Sequence, residues 1–99
     1  MPGKTFTLDC PPDQASLLAE VLGVYAQAAY PTGGSECAQV ARETLLESAR
    51  TIAAAVAGGR PAELRRRQRS HFKAAVSWYF SEEGPGDATR RQSMLALLP

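Results

Sequence analysis

Ninety-nine residues, 44% hydrophobic and 21% charged, suffice for one compact core and exclude both a disordered chain and a second domain. The formal net charge is +1, but residues 1–50 hold three bases against six acids and residues 51–99 hold eight against four, so the C-terminal half is the candidate for a polyanion contact. Uncharged apolar-leaning stretches such as Thr51 to Gly59 fall short of the roughly 20 residues of a membrane span, and Met1-Pro2-Gly3-Lys4 opens without an apolar run; no span and no signal peptide are expected, and the expected compartment is the cytoplasm.

Along the chain, Lys4 to Cys10 alternates Phe6, Leu8 and Cys10 with Thr5, Thr7 and Asp9, the period of a half-buried strand. Pro11-Pro12 stops it and opens a first helix from about Pro12 to Tyr30. Leu17, Leu18, Val21, Leu22, Tyr25, Ala28 and Ala29 form the apolar stripe of that helix. Pro31-Thr32-Gly33-Gly34 ends it. Ser35 is a good N-cap for a second helix, with Glu36 in its first turn. Its stripe runs Ala38, Ala41, Leu45, Ala49, Ile52, Val56, widened by Cys37, Val40, Leu46 and Ala53, and Gly58-Gly59 is its stop.

A third helix is expected from near Pro61 until Glu82-Glu83-Gly84-Pro85-Gly86 breaks it, with Leu64, Gln68, His71, Phe72, Ala75, Val76 and Tyr79 on one side and bases on the other. Asp87 is placed to cap a last short helix to about Leu98. The chain reads as mainly α: a short N-terminal β-strand followed by three to four helices, in one domain over residues 1–99.

Two cysteines, Cys10 and Cys37, are too few for a disulfide framework or a four-ligand zinc site, and read as small buried hydrophobes. A metal site from Cys10, Cys37 and His71 has no ligand spacing behind it, so no metal and no cofactor are expected. The lone His71 lies on or beside the apolar stripe and reads as a packed or edge histidine. There is no Gly-x-Ser-x-Gly, Walker loop or dinucleotide fingerprint. The paired carboxylates Glu82-Glu83 sit in a solvated loop. These absences predict a protein that is not an enzyme.

The densest chemistry is Arg60 to Lys73, where Arg60, Arg65, Arg66, Arg67, Arg69 and Lys73 face one acid, Glu63. On a helix, Arg65, Arg69 and Lys73 line up at i, i+4, i+8, with Arg66 beside them, a ridge suited to phosphates. The bland alternative is a solvated face balanced by acids of the first two helices. Phe72 and Tyr79 fit a core stripe, whereas Trp78 and Phe80 lie off its centre; an exposed one of these two would mark a partner-binding surface.

The order strand, helix, glycine turn, helix, carried by Thr5-Phe6-Thr7-Leu8-Asp9-Cys10-Pro11, Leu17-Leu18, Gly33-Gly34-Ser35 and Val40-Ala41-Arg42-Glu43-Thr44-Leu45-Leu46, resembles the ribbon-helix-helix DNA-binding family of bacterial, phage and plasmid repressors and antitoxins. The resemblance covers about residues 4–50. It implies a homodimer whose two strands pair antiparallel and bury Phe6, Leu8 and Cys10. It further implies Thr5 and Thr7 at major-groove base edges, Lys4 near a phosphate, and a phosphate clamp at the Gly34 and Ser35 amides. Residues 4–58 would be the ribbon-helix-helix-like part and 60–99 a basic helical extension, with Arg65, Arg66, Arg69 and Lys73 as further DNA contacts. The expected function is a small homodimeric regulator of transcription that binds double-stranded DNA. The rival is a helical interaction module or inhibitor that binds a protein through the third helix, using Trp78 and Phe80. An RNA binder using the arginine cluster is a third reading.

Overall fold

The strand β1 spans Thr5–Leu8, with Phe6 and Leu8 buried and Thr5 and Thr7 exposed, as the alternation dictates. The structure, a computed structural model, describes residues 3–98. Met1 and Pro2, part of the opening read above as lacking an export signal, and Pro99 lie outside the described residues.

Helix α1, Pro12–Ala29, begins with Pro11 at the N-cap and Pro12 in the first turn, where a missing N–H costs nothing. Its buried positions Ala15, Leu18, Val21, Leu22 and Ala26 recur at three- and four-residue spacing. Helix α2, Glu36–Ala57, returns beside it. Three bonds secure the turn between them. Ser35 Oγ accepts from the Ala38 amide at 3.2 Å, the Gln39 side chain donates to the Pro31 carbonyl at 3.0 Å, and Arg42 donates to the Tyr30 carbonyl at 3.1 Å. Gly33 takes the left-handed conformation that the turn requires, φ 89°.

Helix α2 ends in a Schellman motif. Gly59 has φ 67°, its amide donates to the Val56 carbonyl, and the Arg60 amide donates to the Ala55 carbonyl. That reversal aims the chain back along the sheet, and here the structure departs from the sequence expectation. Ala62–Arg65 is not the start of a third helix but a strand, β2, antiparallel to β1. The register pairs Thr5 with Arg65, Phe6 with Leu64, Thr7 with Glu63 and Leu8 with Ala62. Ala, Glu, Leu and Arg all favour helix locally, but pairing with β1 wins over that weak preference because Ala62 and Leu64 thereby join Phe6 and Leu8 on one buried face. The strand expected to find its partner in a second copy is already paired within the chain. Residues 4–58 and 60–99 thus share one sheet.

A 3₁₀ turn over Arg66–Gln68 leads into α3, Arg69–Tyr79, which buries Phe72, Ala75 and Val76. The Phe72 ring meets Phe6 edge-on, centroids 6.1 Å apart, and ties α3 to the sheet. Asp87 caps a further 3₁₀ turn, accepting from the Thr89 amide at 3.0 Å and from the Thr89 hydroxyl at 2.8 Å. These two bonds hold the Asp87 carboxyl below its ordinary pKa, the backbone bond contributing most. Helix α4, Arg91–Leu95, then lays Met94 on the core, and Leu98 beyond it is buried too. The protein is mainly α with a short two-stranded sheet, and the core runs through Leu18, Leu22, Leu45, Ile52, Phe72 and Phe80.

On α2 the buried stripe is Leu45, Ser48, Ile52 and Ala55. The first turns lie outside it: Cys37 is exposed and Val40 is 65% exposed, so neither widens the apolar face as the periodicity suggested. Cys10 is half-buried, where burial first, then Asp9 and Asp13, pushes its thiol pKa up. Among the described residues, no helix is long and apolar enough to cross a membrane.

Candidate nucleic-acid interface

Pairing of β1 with β2 brings Lys4 to the basic stretch Arg60–Lys73. The Arg66 amide donates to the Lys4 carbonyl at 2.9 Å, which sets Lys4 beside Arg65, Arg66 and Arg67. All four side chains are exposed, as is Lys73 one helical turn into α3. The candidate residues Lys4, Thr5, Arg65 and Arg66 therefore lie together although some sixty positions separate them in sequence.

The expected ridge of Arg65, Arg69 and Lys73 on one helix does not exist. Arg65 stands on β2, Arg66 in the 3₁₀ turn, and only Arg69 and Lys73 lie on α3. Strand pairing takes Arg65 out of helical phase. Arg69 is half-buried and already engaged within the chain. Arg67, exposed at the middle of the cluster, is the more accessible base.

Thr5 and Thr7 point outward, as the ribbon reading requires. Their neighbours across the sheet are Arg65 and Glu63. Thr5 Oγ1 donates to Glu63 Oε1 at 2.9 Å, so one threonine hydroxyl is spent on a carboxylate in the middle of the outward face. A carboxylate there repels phosphates and leaves the ribbon a poor lone carrier of base contacts.

Gly34 and Ser35 sit at the start of α2, with the Ser35 hydroxyl used as the helix cap. The next turns of α2, with Cys37, Val40, Ala41 and Thr44, form one bank of a groove whose other bank is Arg67, Gln68 and His71. The groove continues past Glu47, Ser48 and Thr51, opposite Glu63 and Arg65. Ser48 Oγ donates to Gln68 Oε1 at 3.1 Å across its floor, satisfying the one buried polar side chain of α2. The α2 N-terminus thus lies near the basic cluster, across the groove from Arg67. His71 is exposed at the groove edge rather than packed.

The aromatic pair separates. Phe80 is 1% exposed, wedged against Tyr79 with ring centroids 4.9 Å apart, and is a core residue rather than a partner contact; the turn after Tyr79 folds it inward. Trp78 is half-buried and leans on Tyr25, centroids 5.8 Å apart, which in turn meets Tyr30 edge-on at 6.1 Å. This strip lies where α1 and α3 meet.

Sequence reasoning passed over Ser70, Ala74 and Ser77. They share the face of α3 opposite Phe72, Ala75 and Val76. The signal was available: no Asp or Glu occurs between Glu63 and Glu82. Among the described residues, no three His, Cys, Asp or Glu side chains gather as a metal site. No protein family, no curated protein and no solved structure matches the chain.

Proposed function

We infer that the chain is a non-enzymatic, DNA-binding transcriptional regulator that works in the cytoplasm as a homodimer. The observation that carries this reading is the set of exposed bases Arg65, Arg66, Arg67 and Lys73, beside which the β1–β2 pairing brings the exposed Lys4. Exposed cations gathered along neighbouring elements favour a polyanion, which they bind by releasing condensed counterions. The nearby α2 N-terminus adds backbone amides of the same sign.

The dimer is supported by the free edge of β1. In an antiparallel ladder, hydrogen-bonded pairs alternate with non-bonded ones. The Arg66–Lys4 bond puts Lys4, Phe6 and Leu8 in bonded positions. The backbone groups of Thr5 and Thr7 therefore point away from β2 and are available to a second strand. A ribbon-helix-helix-like arrangement would join two copies there, extending two strands to four.

A second reading, an interaction module for a protein partner, is favoured by the half-buried Trp78–Tyr25–Tyr30 strip. The test is duplex binding across a salt series with nucleic-acid-free protein, with single-stranded DNA and RNA in parallel. Duplex affinity that falls steeply with salt, at a log–log slope reduced by about one unit in Lys73→Ala, is the expected result. No retention of duplex at low salt would sink the regulator reading and leave the aromatic strip as the working surface.

A further inference from the structure

Building on the DNA-binding reading, we propose that α3 enters the major groove of B-form DNA and that Ser70, His71, Ala74 and Ser77 are the residues that meet base edges.

Helix α3 has two faces. One carries the buried Phe72, Ala75 and Val76 and anchors the helix to the core. The other carries Ser70 and Ala74, both exposed, with Ser77 half-buried in the same stripe at helical spacing and His71 and Lys73 on its flanks. The stripe is unusual in being small. Ser and Ala add little bulk along that outward line, and a helix about 10–12 Å across fits a major groove about 12 Å wide. Eleven residues give α3 a length of about 16 Å, enough to lie over several base pairs.

Charge selects the occupant. From Leu64 to Ser81 the chain has no Asp or Glu. Exposed Arg66 and Arg67 lead into the helix and exposed Lys73 borders the stripe, so phosphates on both walls of a groove would find a cation. Trp78 borders the stripe beside His71 but leans back on Tyr25, and the stripe itself has no large apolar side chain to anchor a protein partner. The ribbon is a poorer reader for the reason given above: Glu63 stands in the middle of its outward face and holds the Thr5 hydroxyl. Serine hydroxyls and an imidazole on α3 can donate to and accept from base edges, and Ala74 can lie against a thymine methyl.

Selection of wild-type protein against a pool of short random duplexes tests the assignment. The wild type enriches a motif. Ser70→Ala with Ser77→Ala alters that motif while keeping the salt dependence, whereas Thr5→Ala with Thr7→Ala returns the wild-type motif. Ala74→Glu lowers duplex affinity by about tenfold or more at low salt, by placing a carboxylate against the bases and phosphates. Ala53→Glu, which adds the same charge at an exposed position on the far half of α2, leaves affinity within about twofold. Unchanged helical circular dichroism and urea midpoints confirm that the variants are folded. The proposal is overturned if the motif follows the threonine pair instead of the serine pair, if Ala74→Glu binds as Ala53→Glu does, or if duplex is bound without any motif. A wild type that retains no duplex at low salt is a different result, which removes the DNA-binding reading itself and the α3 assignment with it.

Discussion

Ser35 and Gly59 bound α2 and are needed for opposite reasons. Ser35 supplies an acceptor to an amide that the helix cannot satisfy, and Ser35→Ala should cost about 1 kcal/mol in urea unfolding. Gly59 supplies a backbone conformation. Nothing lies within 4 Å of a Cβ built there, so Gly59→Ala should cost only the left-handed strain, about 1 kcal/mol. Gly86 is different: a Cβ would come within 2.6 Å of carbons in both the Tyr79 and Phe80 rings. Because Phe80 is fully packed, Gly86→Ala should cost more than Gly59→Ala, about 1–3 kcal/mol, by the same measurement. The two cysteines should also part in reactivity. Cys37 is exposed, whereas Cys10 is half-buried with its thiol pKa raised, so iodoacetamide near neutral pH should label Cys37 first, as read by peptide mass spectrometry. The caps and turn glycines were legible in the sequence because each acts within a few residues of its own position, a cap through its side chain and a glycine through its backbone. The burial of Phe80 was not, since it depends on the fold-back of residues 81–86.

At the scale of elements, β1, α1, α2 and the short C-terminal helix were legible because each announces itself by periodicity and punctuation. Strand β2 was not. Ala62, Glu63, Leu64 and Arg65 are good helix formers, and four residues of alternation are too few to outweigh them without knowing that β1 needs a partner. The same error displaced the basic cluster: read as one helical ridge, it is in fact spread over a strand, a 3₁₀ turn and a helix. The ladder makes a prediction that no substitution can confound. Amides of Phe6, Leu64 and Arg66 lie in bonded positions and should exchange slowly with deuterium. Those of Thr5, Thr7, Glu63 and Arg65 point outward and should exchange fast in the monomer.

At the scale of the whole molecule, that pattern becomes a test of association. If two copies join along β1, the Thr5 and Thr7 amides should slow as protein concentration rises, while those of Glu63 and Arg65, on the far edge of β2, stay fast. The bases Lys4, Arg65, Arg66 and Lys73 were legible as candidates because charge is additive and needs no fold to be counted, and all four are exposed. The half-burial of Arg69 and the outward stripe of Ser70, Ala74 and Ser77 were not legible, because which side of a helix faces water is settled by what packs on its other side.

The pairing of β1 with β2 also bears on how the chain comes to be folded. The Thr5 hydroxyl and the Glu63 carboxylate meet across 58 positions, with the whole α1–α2 hairpin enclosed between them. Closing so long a loop carries an entropic cost that neighbouring helices do not face. During synthesis the first strand leaves the ribosome early and waits, its apolar face uncovered, until residues 62–65 have emerged. The α1–α2 pair can form first and serve as the template on which the two strands meet. Release of the nascent chain short of Arg65 should therefore yield a helical but sheetless, aggregation-prone product.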